Sequence, residues 1–174
     1  MIKKVPNVTF KTRVRDASIG GDNPFKWQDL TTGDIFNNKR VIVFSLPGAF
    51  TPTCSTLQLP GFENNFAKFQ GFGIEEIYVL SVNDTFVMNK WVQNQEIKNI
   101  KPIPDGNGEF TEALGMLVDK SNIGFGKRSW RYAMIVNNGE IEKFFVEPGK
   151  ADNIGDDPYG ESSPENILKY LESK

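Results

Sequence analysis

Apolar residues fall along this chain in two kinds of run. RVIVFSL (40–46) and IEEIYVLSV (74–82) are short, nearly continuous and rich in β-branched residues, the pattern of strands covered on both faces. VTFKTRV (8–14) instead alternates apolar and polar positions, and FKWQDL (25–30) can pair with it across the turn-forming IGGDNP, which predicts a peripheral hairpin. Between the two continuous runs lies a segment of helical length, 52–69. Thr51 is placed to cap it and Pro52 to occupy its first position, where a missing N–H is no loss. Pro60 removes a later helical hydrogen bond, so a kink is expected near Leu59, with the helix resuming on Phe62, Phe66 and Phe69.

Further along, NDTFVMNKWVQNQ (83–95) opens on an Asp84 cap and repeats Phe86 or Val87, then Lys90 or Trp91, at helical spacing. IKPIPD (100–105) reads as a strand and GEFTEALG (108–115) as a short helix closed by glycine. DKSNIGFGKRS (119–129) reads as a loop, leading into WRYAMIV (130–136), the turn NNG and EIEKFFV (140–146), a hairpin. Residues 147–164 form a long Gly-, Asp- and Pro-rich loop before a last amphipathic helix over 163–171. Strand-helix-strand-helix-strand, then an antiparallel hairpin and a terminal helix, is the order of an α/β thioredoxin-like sandwich: a central mixed sheet flanked by helices, here with an added N-terminal hairpin. No internal repeat or low-complexity stretch divides it, so residues 1–174 are expected to form one domain.

Composition narrows the chemistry. An apolar share of 39%, a charged share of 24% and a net charge of −2 are those of a globular chain with no electrostatic bias toward nucleic acid. The longest apolar runs fall far short of the roughly 20 residues that cross a bilayer, so no membrane partner is expected. With one cysteine there is no internal disulfide, and no signal-peptide pattern is seen at the N-terminus, which together point to a cytoplasmic, reducing compartment. Histidine is absent, which removes the commonest general base, the usual partner of a protease cysteine and the commonest zinc ligand. Hydrolase readings fail on that ground. NIGFGKRS lacks phosphate-loop spacing, and PDGNGE lacks the acidic ligands of a calcium loop.

What remains is the lone thiol. A single cysteine is often a small buried hydrophobe, but Cys54 falls in the first turn of a helix that follows a buried strand. There the macrodipole and the unpaired N–H groups favour thiolate over thiol. Any further cation must be arginine or lysine. Arg131, in the predicted 130–136 strand, is best placed in the sandwich topology, with Arg128 second; the bland reading of either is a solvated surface arginine. The Thr51 hydroxyl, three residues before Cys54, can cap the helix and also hydrogen-bond the thiolate and a substrate oxygen. A dithiol oxidoreductase would need a second cysteine at the helix start, where position 51 is threonine.

PGAFTPTC (47–54) resembles the peroxiredoxin active-site motif: a proline, three residues, a threonine, two residues and a cysteine. Taken with LPGF, VLSVNDTFVMNKW, PDGNGEFTEALGMLV and GFGKRSWRYAMIVNNGEIEKFF, nearly the whole chain resembles the type-five peroxiredoxins, in particular the module some bacteria carry fused to glutaredoxin. The resemblance implies a thiol-dependent peroxidase acting on hydrogen peroxide and alkyl hydroperoxides through a cysteine sulfenic acid, with no bound cofactor. It puts the peroxidatic cysteine on Cys54, the motif threonine on Thr51, the proline on Pro47 and the arginine on Arg131, leaving Arg128 outside the motif. It also implies a homodimer formed through the edge around the active site. Phe50, Phe86, Phe125 and Trp130, at loops and element ends, are either anchors of such a contact or core fillers.

The sequence departs from the family in having no second cysteine to resolve the sulfenic acid, and no glutaredoxin domain is expected to follow. An external thiol is therefore expected: glutathione followed by a glutaredoxin first, thioredoxin second, a Cys54–Cys54 disulfide between chains a distant third. The rival reading is a non-catalytic redox sensor or interaction module of the same fold.

Overall fold

The computed structural model describes residues 2–174. Its frame is a five-stranded sheet in the order β5-β4-β3-β8-β9. Strand β3 (Arg40–Ser45) runs parallel to β4 (Glu76–Ser81), and β4 parallel to β5 (Lys101–Pro104); on the other side β3 is antiparallel to β8 (Tyr132–Asn137), which turns back into β9 (Glu140–Val146). The chain has a mixed α/β, thioredoxin-like fold.

The continuous apolar run of β3 follows from its place in the middle of the sheet, where successive side chains enter two different cores. Ile42, Phe44 and Leu46 point to one side, among Phe62, Phe69, Trp91 and Ile167. Val41 and Val43 point to the other, among Phe110, Trp130, Tyr132 and Met134. Phe44 stacks on Phe62 with ring centroids 4.0 Å apart, and Phe62 on Phe69 at 5.8 Å, so the segment after β3 is anchored to the sheet by aromatic contact.

The expected N-terminal hairpin is present. β1 (Thr9–Arg15) pairs antiparallel with β2 (Phe25–Thr31), outside the main sheet. A helix absent from the sequence reading follows: α1 (Thr32–Phe36) is closed by a capping box between Thr31 and Asp34 and buries Ile35 and Phe36. The loop expected over 119–129 is present between Lys120 and Gly126, but its two ends pair as a short ribbon of β6 (Leu117–Asp119) and β7 (Lys127–Ser129), three residues each, with Gly124 and Gly126 at φ 76° and 70° in the turn.

The segment after β3 also departs from a simple kinked helix. Cys54–Gln58 is a wide turn in which the Leu59 N–H reaches back to the Cys54 carbonyl, followed by α2 (Leu59–Asn64), a break at Asn65 and α3 (Phe66–Gly71). Pro60 has no N–H for the carbonyl four residues earlier, so the distortion lies ahead of the proline rather than at it. Two helices match expectation closely. α4 (Thr85–Asn94) is capped by Asp84 and buries Met88 and Trp91; α6 (Pro164–Glu172) is capped by Ser163 and buries Ile167, Leu168 and Leu171. α5 (Glu109–Ala113) is shorter and closes at Gly115 with φ 80°. Residues 147–163 join β9 to α6 without a helix or strand.

Candidate active site

β3 delivers the chain at Leu46 to a tight turn whose geometry accounts for the residues 47–51. Gly48 is buried, and a Cβ there would stand 2.3 Å from Nη1 of Arg128 and 3.3 Å from Cγ2 of Thr51. Only glycine lets that guanidinium pass close enough to donate to the Pro47 carbonyl at 3.1 Å. Arg128 also donates to the Phe125 carbonyl at 3.2 Å, with its guanidinium against the Phe125 ring. Its cationic end is committed to bracing the turn, and the structure gives it no contact with the sulfur. Ala49 N–H is held by Asn83 Oδ1 at 3.1 Å, and Phe50 takes φ 66°, a costly conformation for a side chain of its size.

Thr51 does something other than expected. Its hydroxyl donates to the Gly48 carbonyl at 2.8 Å and neither accepts a helix N–H nor bonds the sulfur among the described residues. The short Gly48–Thr51 turn offers that acceptor within reach, and a hydroxyl has one proton to give. Its lone pairs stay open to a donor. The helix starts regardless, since Ser55 N–H bonds the Thr51 carbonyl at 3.0 Å.

Cys54 is fully buried, and Arg131, 77 residues away in sequence and 1% exposed, donates Nη1 to its sulfur at 3.5 Å. Strand pairing makes this meeting: Tyr132 of β8 lies opposite Ser45 of β3, so the residue before β8 arrives beside the turn that leaves β3. The same Nη1 also donates to Gln58 Oε1, and Nη2 donates to both oxygens of Asp157, each at 2.8 Å. Burial opposes the guanidinium charge, but the negative charges of Cys54 and Asp157 outweigh it and raise the arginine pKa above its ordinary value. Arg131 therefore stays a cation where water cannot solvate it. Tyr159 lies with its ring 5.7 Å from the guanidinium carbon; burial first, then nearby Glu165, pushes its phenol up to about 12, so it stays neutral.

Such a site offers a buried sulfur beside a fixed, buried cation, with a threonine oxygen one turn back. It suits nucleophilic attack on a small acceptor whose departing atom takes up negative charge.

The family model for Redoxin matches residues 3–159. A peroxiredoxin of Rhizobium etli is 62% identical over 173 residues, covering 99% of this chain and 97% of that one. The chain belongs to the Redoxin family, among its peroxiredoxins. The hybrid peroxiredoxin hyPrx5 of Haemophilus influenzae is 54% identical; the match covers 97% of this peroxiredoxin but 65% of the hybrid. Among solved structures, a Plasmodium falciparum antioxidant protein described as a 1-Cys peroxiredoxin is 40% identical, superposes with a TM-score of 0.88 and is covered over 98% of both chains. As a peroxiredoxin the chain is a thiol-dependent peroxidase, an oxidoreductase acting on hydroperoxides with thiol reductants. Among the described residues no helix is long and apolar enough to cross a membrane.

Of the residues expected from the sequence, the structure joins Cys54 to Arg131 directly and sets Thr51 and Pro47 on the turn leading into them. Gln58 was missed, although its place four residues after Cys54 puts both on one helical face. Asp157 was missed without any available signal, because an irregular loop carries no period to read. Trp130, weighed as a surface anchor, is 2% exposed and gives its indole N–H to the Glu147 carbonyl at 2.8 Å, so it is core. Phe50 and Phe86 are about half exposed, at 49% and 50%.

Proposed function

We propose that this peroxiredoxin reduces hydrogen peroxide and alkyl hydroperoxides by attack of the Cys54 thiolate. The observation that carries the reading is the buried Cys54 sulfur 3.5 Å from a guanidinium that is itself 1% exposed. The thiolate pair forms a bond to one peroxide oxygen as the O–O bond breaks; sulfur is oxidised to sulfenic acid, and the departing oxygen takes a proton to leave as water or alcohol. Arg131 and the first-turn N–H groups face the charge that spreads over both oxygens, while the Thr51 hydroxyl, its proton given to Gly48, accepts from the substrate O–H. Pro47, buried in the turn, keeps bulk water from the sulfur.

Cys54 is the only cysteine, so the sulfenic acid is met by an external thiol, and the reaction calls for no bound cofactor. Likeness to a hybrid peroxiredoxin and to a 1-Cys peroxiredoxin supports glutathione followed by a glutaredoxin, with thioredoxin second. Half-exposed Phe50 and Phe86 support a homodimer through the active-site edge. In the test, wild-type protein with glutathione and glutaredoxin consumes hydrogen peroxide and Cys54→Ser does not; undiminished turnover by the variant sinks the reading. A wild-type reaction with peroxide no faster than that of a free thiol would instead favour a redox sensor.

A further inference from the structure

We infer that Asp157 is a positioning residue for the Cys54 reaction, acting through Arg131. The inference rests on the peroxidase reading above and concerns how the guanidinium is aimed. On its own, Nη1 has two partners, Cys54 Sγ and Gln58 Oε1, and Nε has none. Those contacts all lie at one corner of the group and leave its plane free to turn. The bidentate contact of Nη2 with both Asp157 oxygens, 2.8 Å each, fixes the plane.

Asp157 sits in the irregular 147–163 loop, so its own place must be set by something else. Glu147, 2% exposed, accepts the backbone N–H groups of Gly160 at 3.0 Å, Glu161 at 3.1 Å and Ser162 at 2.7 Å, together with the Ser162 hydroxyl at 2.5 Å. Gln58 Nε2 reaches Ser162 Oγ at 3.5 Å. One anchored loop thus holds both side chains that share Arg131 with the sulfur. The Asp157 side chain is 45% exposed, and an ion pair with one partner in water adds little to stability. Its main consequence is geometric: the donor that faces the peroxide stays in register.

Asp157→Asn turns one acceptor oxygen into an N–H₂ group facing Nη2, and the guanidinium loses its fixed plane. Misplacing a catalytic group by an ångström costs up to about a hundredfold, so the second-order rate of Cys54 with hydrogen peroxide is expected to fall by about tenfold or more. Alkylation of Cys54 by uncharged iodoacetamide involves no O–O bond to polarise and is expected to change by less than about threefold. Asp157→Glu, which restores two oxygens, recovers part of the peroxide rate, whereas Asp156→Asn, the same charge removed one residue away, leaves it near wild type. The inference is overturned if Asp157→Asn keeps the wild-type peroxide rate, if alkylation slows by the same factor, or if Asp156→Asn loses as much. A wild-type protein inert to peroxide would overturn the Cys54 reading instead, so the two failures are told apart.

Discussion

Replacing Arg131 by methionine separates catalysis from stability at this site. The guanidinium is 1% exposed and places one N–H 3.5 Å from the Cys54 sulfur, so no water can take over its role when it is gone. Loss of one preorganised donor from a site where charge develops costs about 10²- to 10³-fold in rate, or ~3–4 kcal/mol. Stability is expected to move little. Methionine fills similar length without a charge to desolvate, and removing a buried ion relieves a penalty of several kcal/mol. Against that, buried Gln58 Oε1 loses its donor, at about 1–3 kcal/mol, while Asp157, 45% exposed, returns to water. The two terms nearly cancel, leaving a change of about 1 kcal/mol or less in either direction. Stopped-flow fluorescence is the assay, because Trp91 Nε1 bonds Ser55 Oγ at 2.9 Å next to Cys54 and so reports on this turn; urea unfolding runs in parallel. A peroxide rate within about tenfold of wild type, with stability unchanged, would refute the role given to the arginine.

Three other outcomes are expected. Gly48→Ala drives the Arg128 guanidinium off the Pro47 carbonyl, since the new Cβ would lie 2.3 Å from Nη1; the expected loss is about 1 kcal/mol in urea unfolding with a slower peroxide reaction, and full activity would deny the turn its bracing role. Phe62→Ala empties a fully buried ring stacked between Phe44 and Phe69, and calorimetry should record a loss of about 3–5 kcal/mol. Burial opposes the Glu76 charge, but hydrogen bonds from Lys101, Tyr78 and Lys39 prevail and lower its pKa from 4.5 to about 2. A folded pKa below the unfolded one adds stability above pH 4.5 that is lost as pH falls toward 2, so Glu76→Gln should flatten the acid limb of an unfolding-versus-pH curve; an unaltered limb rejects the coupling.

The centre of this fold was legible because its strands announce burial on two faces: Val41 to Leu46 leave no polar gap except Ser45, whose hydroxyl bonds the Leu80 carbonyl. The meeting of Cys54 with Arg131 was legible from topology, since a strand antiparallel to β3 must begin beside the turn that leaves β3. Other features carried weaker signals. The α1 capping box uses aspartate at its third position, and the five-residue helix that follows is too short to show a period. β6 and β7 are three residues each, below the length at which alternation can be read. The Thr51 hydroxyl was misjudged because its acceptor, the Gly48 carbonyl, comes within reach only when the 47–50 turn folds back on itself.

The same enclosure that suits attack on a peroxide excludes the thiol that must follow. Cys54 is fully buried within a turn held by Gln58 to Arg131 and by Trp91 to Ser55, and a thiol as bulky as glutathione has no route to its sulfur while that turn stays closed. Under the proposed function, oxidation and reduction therefore need two arrangements of residues 54–58. The wide turn is suited to that demand. Its outer residues Thr56 and Leu57 are exposed, and Pro60 contributes no N–H to the segment ahead of it, so opening costs chiefly the burial of Cys54 and Gln58 and their hydrogen bonds with Arg131 and that of Ser55 with Trp91. Phe62, stacked on Phe44 just beyond, limits how far the opening can spread. The aromatic anchor and the weak turn before it divide the segment into a part that holds the fold and a part that can yield the sulfur.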